Sequence, residues 1–170
     1  MKFRIIIAVL IPLILFACNS GNQKSGTSKI PGRKELADLN RYMVAKDRER
    51  IESYIERKGL KMTVTQSGLW YMIKNEGSGS TFTENDRVKM EYDCTTLDGT
   101  LCYSSKETGP KEVVVGKTSI EPGLDQGLRM MKPGSEALFI IPPFLAWGFR
   151  GDGKRIPPRS TLVYNIKIIN

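Results

Sequence analysis

The chain of 170 residues contains no histidine and three cysteines, and it carries a formal net charge of +8. Nucleophilic and metal chemistry built on imidazole is excluded, as are a four-cysteine zinc site and a glycine-rich phosphate loop followed by Lys-Ser or Lys-Thr. The charge is uneven: from Glu35 onward 20 basic residues face 18 acidic ones, so the folded part lacks the basic face that nucleic-acid binding needs.

The N-terminus reads as an address. Lys2 and Arg4 precede an apolar run over residues 5–16, shorter than the roughly 20 residues that span a bilayer and suited to a secretory signal. It ends Leu15-Phe16-Ala17-Cys18, which resembles the lipobox of bacterial lipoproteins. That resemblance implies a signal peptide over residues 1–17, cleavage before Cys18, and acylation of the Cys18 sulfur and of the new amino group. Two or more acyl chains give stable anchoring. Asn19, where an aspartate would retain the protein at the inner membrane, resembles the outer-membrane sorting choice. Residues 18–33 then form a solvated basic tether beside an anionic surface. An uncleaved anchor helix or a coincidental cysteine is the alternative.

Residues 34–61 are rich in helix formers. Leu36, Leu39, Met43, Ile51, Tyr54 and Ile55 fall near one face, and Gly59 stands where a helix C-cap would. The charged stretch Lys46-Asp47-Arg48-Glu49-Arg50 interrupts the stripe and leaves open one helix or two. A helix packed on its own domain, in a monomer, is one reading; a dimerising helix is the other.

From residue 62 the texture turns to β. Runs at 69–73 and 87–92 read as strands, and Asp98-Gly99 is a hairpin signal between 92–97 and 100–103. Val113-Val114-Val115 forms a further run. Pro122-Gly123 opens a short helix that Lys132-Pro133-Gly134 stops. Strands at 136–141 and 162–169 complete an α+β class with a mostly antiparallel sheet against one short helix. A two-residue hairpin loop sets Cys94 opposite Tyr103 and Cys102 opposite Thr95, which places the two thiols on opposite faces; a bulge would bring them together. In an oxidising compartment a disulfide is the alternative to two free thiols.

Pro142-Pro143-Phe144-Leu145-Ala146-Trp147-Gly148, Ile156-Pro157-Pro158 and Ser160-Thr161-Leu162-Val163-Tyr164 place aromatics and an aliphatic at fixed spacing, with Gly and Pro between them. On spacing alone Trp147 and Tyr164 read as core. The ordered set of hairpin, Val-rich strand, Pro-Gly helix, Lys-Pro-Gly, apolar strand, aromatic-Gly loop, Ile-Pro-Pro and final strand is similar to the FKBP-type peptidyl-prolyl cis-trans isomerases over about residues 66–170. With its N-terminus the chain resembles the gliding-motility-associated lipoproteins of that family. The resemblance implies a twisted antiparallel sheet wrapped around a short helix over residues 62–170, preceded by the helical segment 34–61.

It also implies a pocket for peptidyl-proline with Tyr92, Tyr103, Ile120, Trp147, Ile156 and Tyr164 as candidate catalytic residues, and Cys102, Leu124, Glu121 and Lys111 as substrate-binding ones. Ile120 matches an aliphatic whose amide meets the ligand, and Trp147 replaces a tyrosine that bonds it. Several positions depart from the family pattern. Leu124 stands for the tryptophan of the floor. Cys102-Tyr103 stands for a phenylalanine–aspartate pair, which removes the pocket carboxylate unless the Tyr103 hydroxyl substitutes for it. Lys111, Glu121 and Arg155 replace apolar residues. The expectation is a wider floor and a charged mouth. No cofactor or metal is implied; the partners implied are proline-containing unfolded or exported proteins and, through the anchor, a membrane, with no nucleic acid. A non-catalytic peptide-binding lipoprotein on the same fold is the second reading.

Overall fold

The computed structural model describes residues 32–117 and 120–169. The expected signal peptide, Cys18 and nearly all of the tether lie outside the described residues.

Helix α1 (Arg33–Lys58) is one continuous helix, which settles the choice between one helix and two. The Glu35 carboxylate accepts the Gly32 N–H at 2.9 Å. At the other end Gly59 and Leu60 donate to the carbonyls of Glu56 and Ile55. The charged stretch does not break the helix because ion pairs such as Lys46–Glu49 and Arg48–Glu52 run along its exposed side. Its C-terminal half lays Ile51, Tyr54 and Ile55 on the sheet against Leu138, Ile140 and Val163. Leu36, Leu39 and Tyr42 on the N-terminal half are exposed.

The strands are β1 (Thr63–Val64), β2 (Trp70–Asn75), β3 (Arg87–Thr96), β4 (Leu101–Ser104), β5 (Lys111–Val114), β6 (Glu136–Ile141) and β7 (Leu162–Ile168). They form one antiparallel sheet in the order β1-β2-β6-β7-β3-β4, with β5 also paired to β3. Strand β3 holds this arrangement together: its ten residues pair with β7 on one side and with both β4 and β5 on the other. Val88, Met90, Tyr92 and Cys94 alternate inward from it.

Helix α3 (Pro122–Leu128) crosses the concave face, with Leu124 and Leu128 fully buried among Met90, Phe139 and Ile166. The approach is close. A Cβ on Gly127 would lie 2.9–3.1 Å from the Phe139 ring, so this position takes no side chain without moving the ring. A one-turn helix, α2 (Ser105–Thr108), which the sequence did not signal, follows β4. This α+β architecture is the expected one.

The hairpin departs from expectation. Thr96 N–H donates to the Thr100 carbonyl and Gly99 N–H to that of Thr96, so the loop is Leu97-Asp98-Gly99 rather than two residues. Cys94 opposes Tyr103 but Thr95 opposes Leu101, with Cys102 the bulged residue between. The bulge turns both thiols into the same core, where Cys94 and Cys102 are free, buried and in contact. Opposite sheet faces, expected from a two-residue loop, are thereby corrected.

Candidate functional site

At one end of the concave face a cavity of about 260 Å³ is lined by Tyr92, Tyr103, Lys111, Glu121, Trp147, Asp152, Lys154, Ile156 and Tyr164. Strand β3 contributes Tyr92 and β7 contributes Tyr164, whose rings stack at 6.0 Å between centroids and 28° between planes. Both rings are buried, at 9% and 2% exposure. Strands β4 and β5 bring Tyr103 and Lys111, the latter with its ammonium 5.8 Å from the centre of the Tyr92 ring.

Glu121, immediately before α3, is 3% exposed. Its Oε1 accepts the indole N–H of Trp147 at 2.8 Å and the phenol O–H of Tyr164 at 2.6 Å. Burial, followed by the Glu121 charge, raises the Tyr164 phenol well above its ordinary value, so it remains a donor.

The remaining wall is a loop. After a 3-10 turn at Pro143–Leu145, the segment carrying Trp147 runs through Gly151-Asp152-Gly153 to Ile156. A Cβ on Gly151 would come within 2.1 Å of the Ile156 carbonyl, and its φ is +67°; only glycine serves there. The Asp152 Oδ1 accepts the amides of Lys154 (2.9 Å) and Ile156 (2.8 Å), and Oδ2 accepts the Tyr103 hydroxyl. Burial works against ionisation of Asp152, but the Tyr103 and backbone bonds outweigh it and hold the carboxyl below its usual value. The same bond, with burial, pushes Tyr103 up to about 12. Arg155 closes the rim, 5.7 Å from the Tyr103 ring centre, bonded to the Cys102 carbonyl and paired with Glu107.

The cavity therefore brings together Tyr92, Tyr103, Glu121, Lys111, Trp147, Ile156 and Tyr164. It does not include Ile120, Cys102 or Leu124, which lie in the core at 6%, 0% and 0% exposure. Leu124 is fully buried and does not line the cavity. The side chain of Glu121, joined to Trp147 and Tyr164, occupies the inner end of the cavity. Strand β4 carries no carboxylate, as Cys102-Tyr103 implies, and the cavity's two carboxylates are Asp152 and the expected Glu121. Asp152 and Lys154 were missed; Gly-Asp-Gly marks a turn between Trp147 and Ile156 and does not of itself place its aspartate in a site. A wider polar cleft of about 720 Å³, between α1, the β3–β4 loop and residues 157–161, contains none of the predicted site residues.

A family model described as FKBP-type peptidyl-prolyl cis-trans isomerase matches residues 79–169. A probable FKBP-type isomerase, FkpA, of Neisseria meningitidis serogroup B is 35% identical over 125 residues, covering 72% of this chain and 46% of the relative. The FKBP-type 22 kDa isomerase of Escherichia coli is 38% identical over 119 residues, covering 68% and 57%. The chain spans about half the length of the curated relatives it matches. Among solved structures, FkpA from Escherichia coli superposes with a TM-score of 0.65 at 27% identity over 80% of this chain and 63% of the other. AtFKBP13 superposes with a TM-score of 0.62 at 30% identity, over 65% and 98%.

Proposed function

The chain belongs to the FKBP-type peptidyl-prolyl cis-trans isomerase family, and from that premise we propose that it is a lipid-anchored prolyl isomerase acting on exported proteins. The observation that carries the activity is the cavity of Tyr92, Trp147, Ile156 and Tyr164. Its aromatic and aliphatic walls and its volume suit a proline ring, and Lys111, Glu121, Asp152 and Lys154 supply charged groups beside them.

Rotation about an X–Pro bond faces a barrier of about 18–20 kcal/mol from amide resonance. No bond breaks, so neither nucleophile nor base is needed, and a chain without histidine loses nothing. The catalyst must hold the twisted amide better than either planar isomer. Tyr92 and Tyr164 shield the ring from water, which favours the less polar twisted amide. Trp147, Tyr103 and Asp152 fix the loop that closes over it.

The anchor and compartment rest on the sequence: residues 1–17 as signal peptide, acylated Cys18, a tether to residue 33, the helical segment 34–61 and the isomerase domain 62–170. Asn19 supports the outer membrane, facing the periplasm. The resemblance to gliding-motility lipoproteins suggests the same setting, with unfolded proline-containing envelope proteins as clients. A prolyl tetrapeptide assay on the chain from Arg33 tests the activity: acceleration above the uncatalysed rate is expected. Its absence, with retained binding to unfolded chains, would establish the non-catalytic reading instead. Cys18→Ala should abolish labelling by a fatty-acid probe, and persistent labelling refutes the anchor.

A further inference from the structure

Glu121 is a buried carboxylate in a cavity walled by aromatic side chains. It is 3% exposed, and none of the ion pairs formed by the described residues involves it. Removing a carboxylate from water without a cation is costly, and hydrogen bonds to the charge are what offset it. Here both bonds fall on a single oxygen, Oε1, and both donors are cavity walls. Their carriers come from separate parts of the fold. Glu121 sits at the start of α3, Trp147 on the loop after Leu145, and Tyr164 on the central strand β7.

The two donors are held differently without it. Tyr164 is 2% exposed and stacked on Tyr92, so its ring is fixed by packing. Trp147 lies in the turn closed by the Gly148 N–H on the Pro143 carbonyl, but its side chain is 40% exposed and its only hydrogen bond from the side chain is to Glu121. An aliphatic residue at 121 would fill the space at no desolvation cost, yet it would leave the indole N–H and the phenol O–H without an acceptor. The carboxylate therefore joins the exposed wall to the buried one.

We propose that Glu121 is a positioning residue of this site: it clamps the Trp147 indole to Tyr164 and so sets how the cavity closes on the proline ring. The inference rests on the isomerase reading for its kinetic consequence and on geometry alone for the clamp.

The test uses the full-length chain in detergent, with Trp70→Phe so that Trp147 is the sole indole; the chain has two tryptophans, and Trp70 lies in the α1–sheet interface. Glu121→Leu removes the acceptor, while Glu121→Gln keeps an acceptor oxygen and loses the charge. Acrylamide quenching of Trp147 should rise in Glu121→Leu. In the tetrapeptide assay kcat/KM should drop about ten-fold, mainly through KM, with Glu121→Gln restoring most of both. Unchanged quenching and kinetics overturn the proposal. So does a loss of activity with quenching unchanged and no rescue by glutamine. If the parent chain shows no isomerase activity while Glu121→Leu still raises quenching, the clamp stands and the isomerase reading falls. Glu121→Ala, which cannot overfill the cavity, carries the same test should Glu121→Leu fail to fold.

Discussion

Asp47 and Arg159 form the ion pair that holds α1 to the loop end of the site. Both carboxylate oxygens accept from the same guanidinium nitrogen, at 3.1 and 2.8 Å, and the side chains are 7% and 28% exposed. Removing one partner of a fully buried pair costs about 3–5 kcal/mol, because the survivor is left charged and dry. Arg159 keeps partial contact with water and with the Phe149 ring, 5.3 Å away, so Asp47→Ala should cost roughly 2–3 kcal/mol. Arg159 also sits at φ +55°, a conformation that costs a non-glycine residue on the order of 1 kcal/mol. Arg159→Gly should therefore destabilise the parent chain by stranding Asp47, yet stabilise the Asp47→Ala chain by about 0.5–1 kcal/mol through relief of that strain. Urea unfolding followed by circular dichroism reads all four chains. With a slope near 2 kcal/mol per molar, Asp47→Ala should lower the midpoint by about 1–1.5 M. Costs below about 0.5 kcal/mol for both single variants, adding without interaction, would refute the reasoning.

Two further outcomes test the packing and the buried thiol. Gly127→Ala places a methyl against the Phe139 ring; overpacking of about 1–3 kcal/mol exceeds the gain in helix propensity, so Tm should fall by several degrees, and an unchanged or raised Tm contradicts the close approach. Burial pushes the Cys94 thiol up from 9.0 to about 12, and burial lifts Tyr164 well above 10.0. Both groups stay neutral in the folded chain at pH values where the unfolded chain ionises, so their stabilisation is complete below pH 9 and is lost as pH rises towards 12. The free energy of unfolding should decline from pH 9 upward by at most about 1.4 kcal/mol per pH unit for each group. Cys94→Ala should flatten the first part of that decline; an equally steep profile in the variant would assign it elsewhere.

The strands and α3 were legible because each depends on local pattern. Alternation in β3 and Pro122 opening α3 are set within a few residues, whereas the spacing of Trp147 and Tyr164 alone reads as core and only the family resemblance assigns them, with Ile156, to a pocket. What escaped the sequence depends on partners far along the chain. Asp152 acquires its role from Tyr103, 49 positions away, and nothing in Gly-Asp-Gly distinguishes that aspartate from one in a solvated turn. The hairpin failed for a related reason. Asp98-Gly99 is compatible with a two-residue or a three-residue loop, and the choice moves Cys102 to the other face. Leu124 was placed by analogy of position, and the approach of α3 to Phe139 leaves it fully buried.

The losses expected on one wall are made good from elsewhere in the fold. With Cys102-Tyr103 on β4, no carboxylate projects from that strand, but the Tyr103 hydroxyl reaches one on the opposite loop. The Tyr103–Asp152 bond then spans the cavity and secures the loop through the amides of Lys154 and Ile156. At the inner end, Glu121 meets Trp147 and Tyr164 in the same manner. In both cases an aromatic polar tip meets a carboxylate across the site, so charge-assisted bonds add to the loop's own backbone bonds, Gly148 N–H to the Pro143 carbonyl and Asp152 N–H to that of Ile156. Loss of either carboxylate should loosen the side chain it fastens, Tyr103 at one end and Trp147 at the other. The kinetics of this cavity should therefore respond more strongly to the two carboxylates than to its apolar lining.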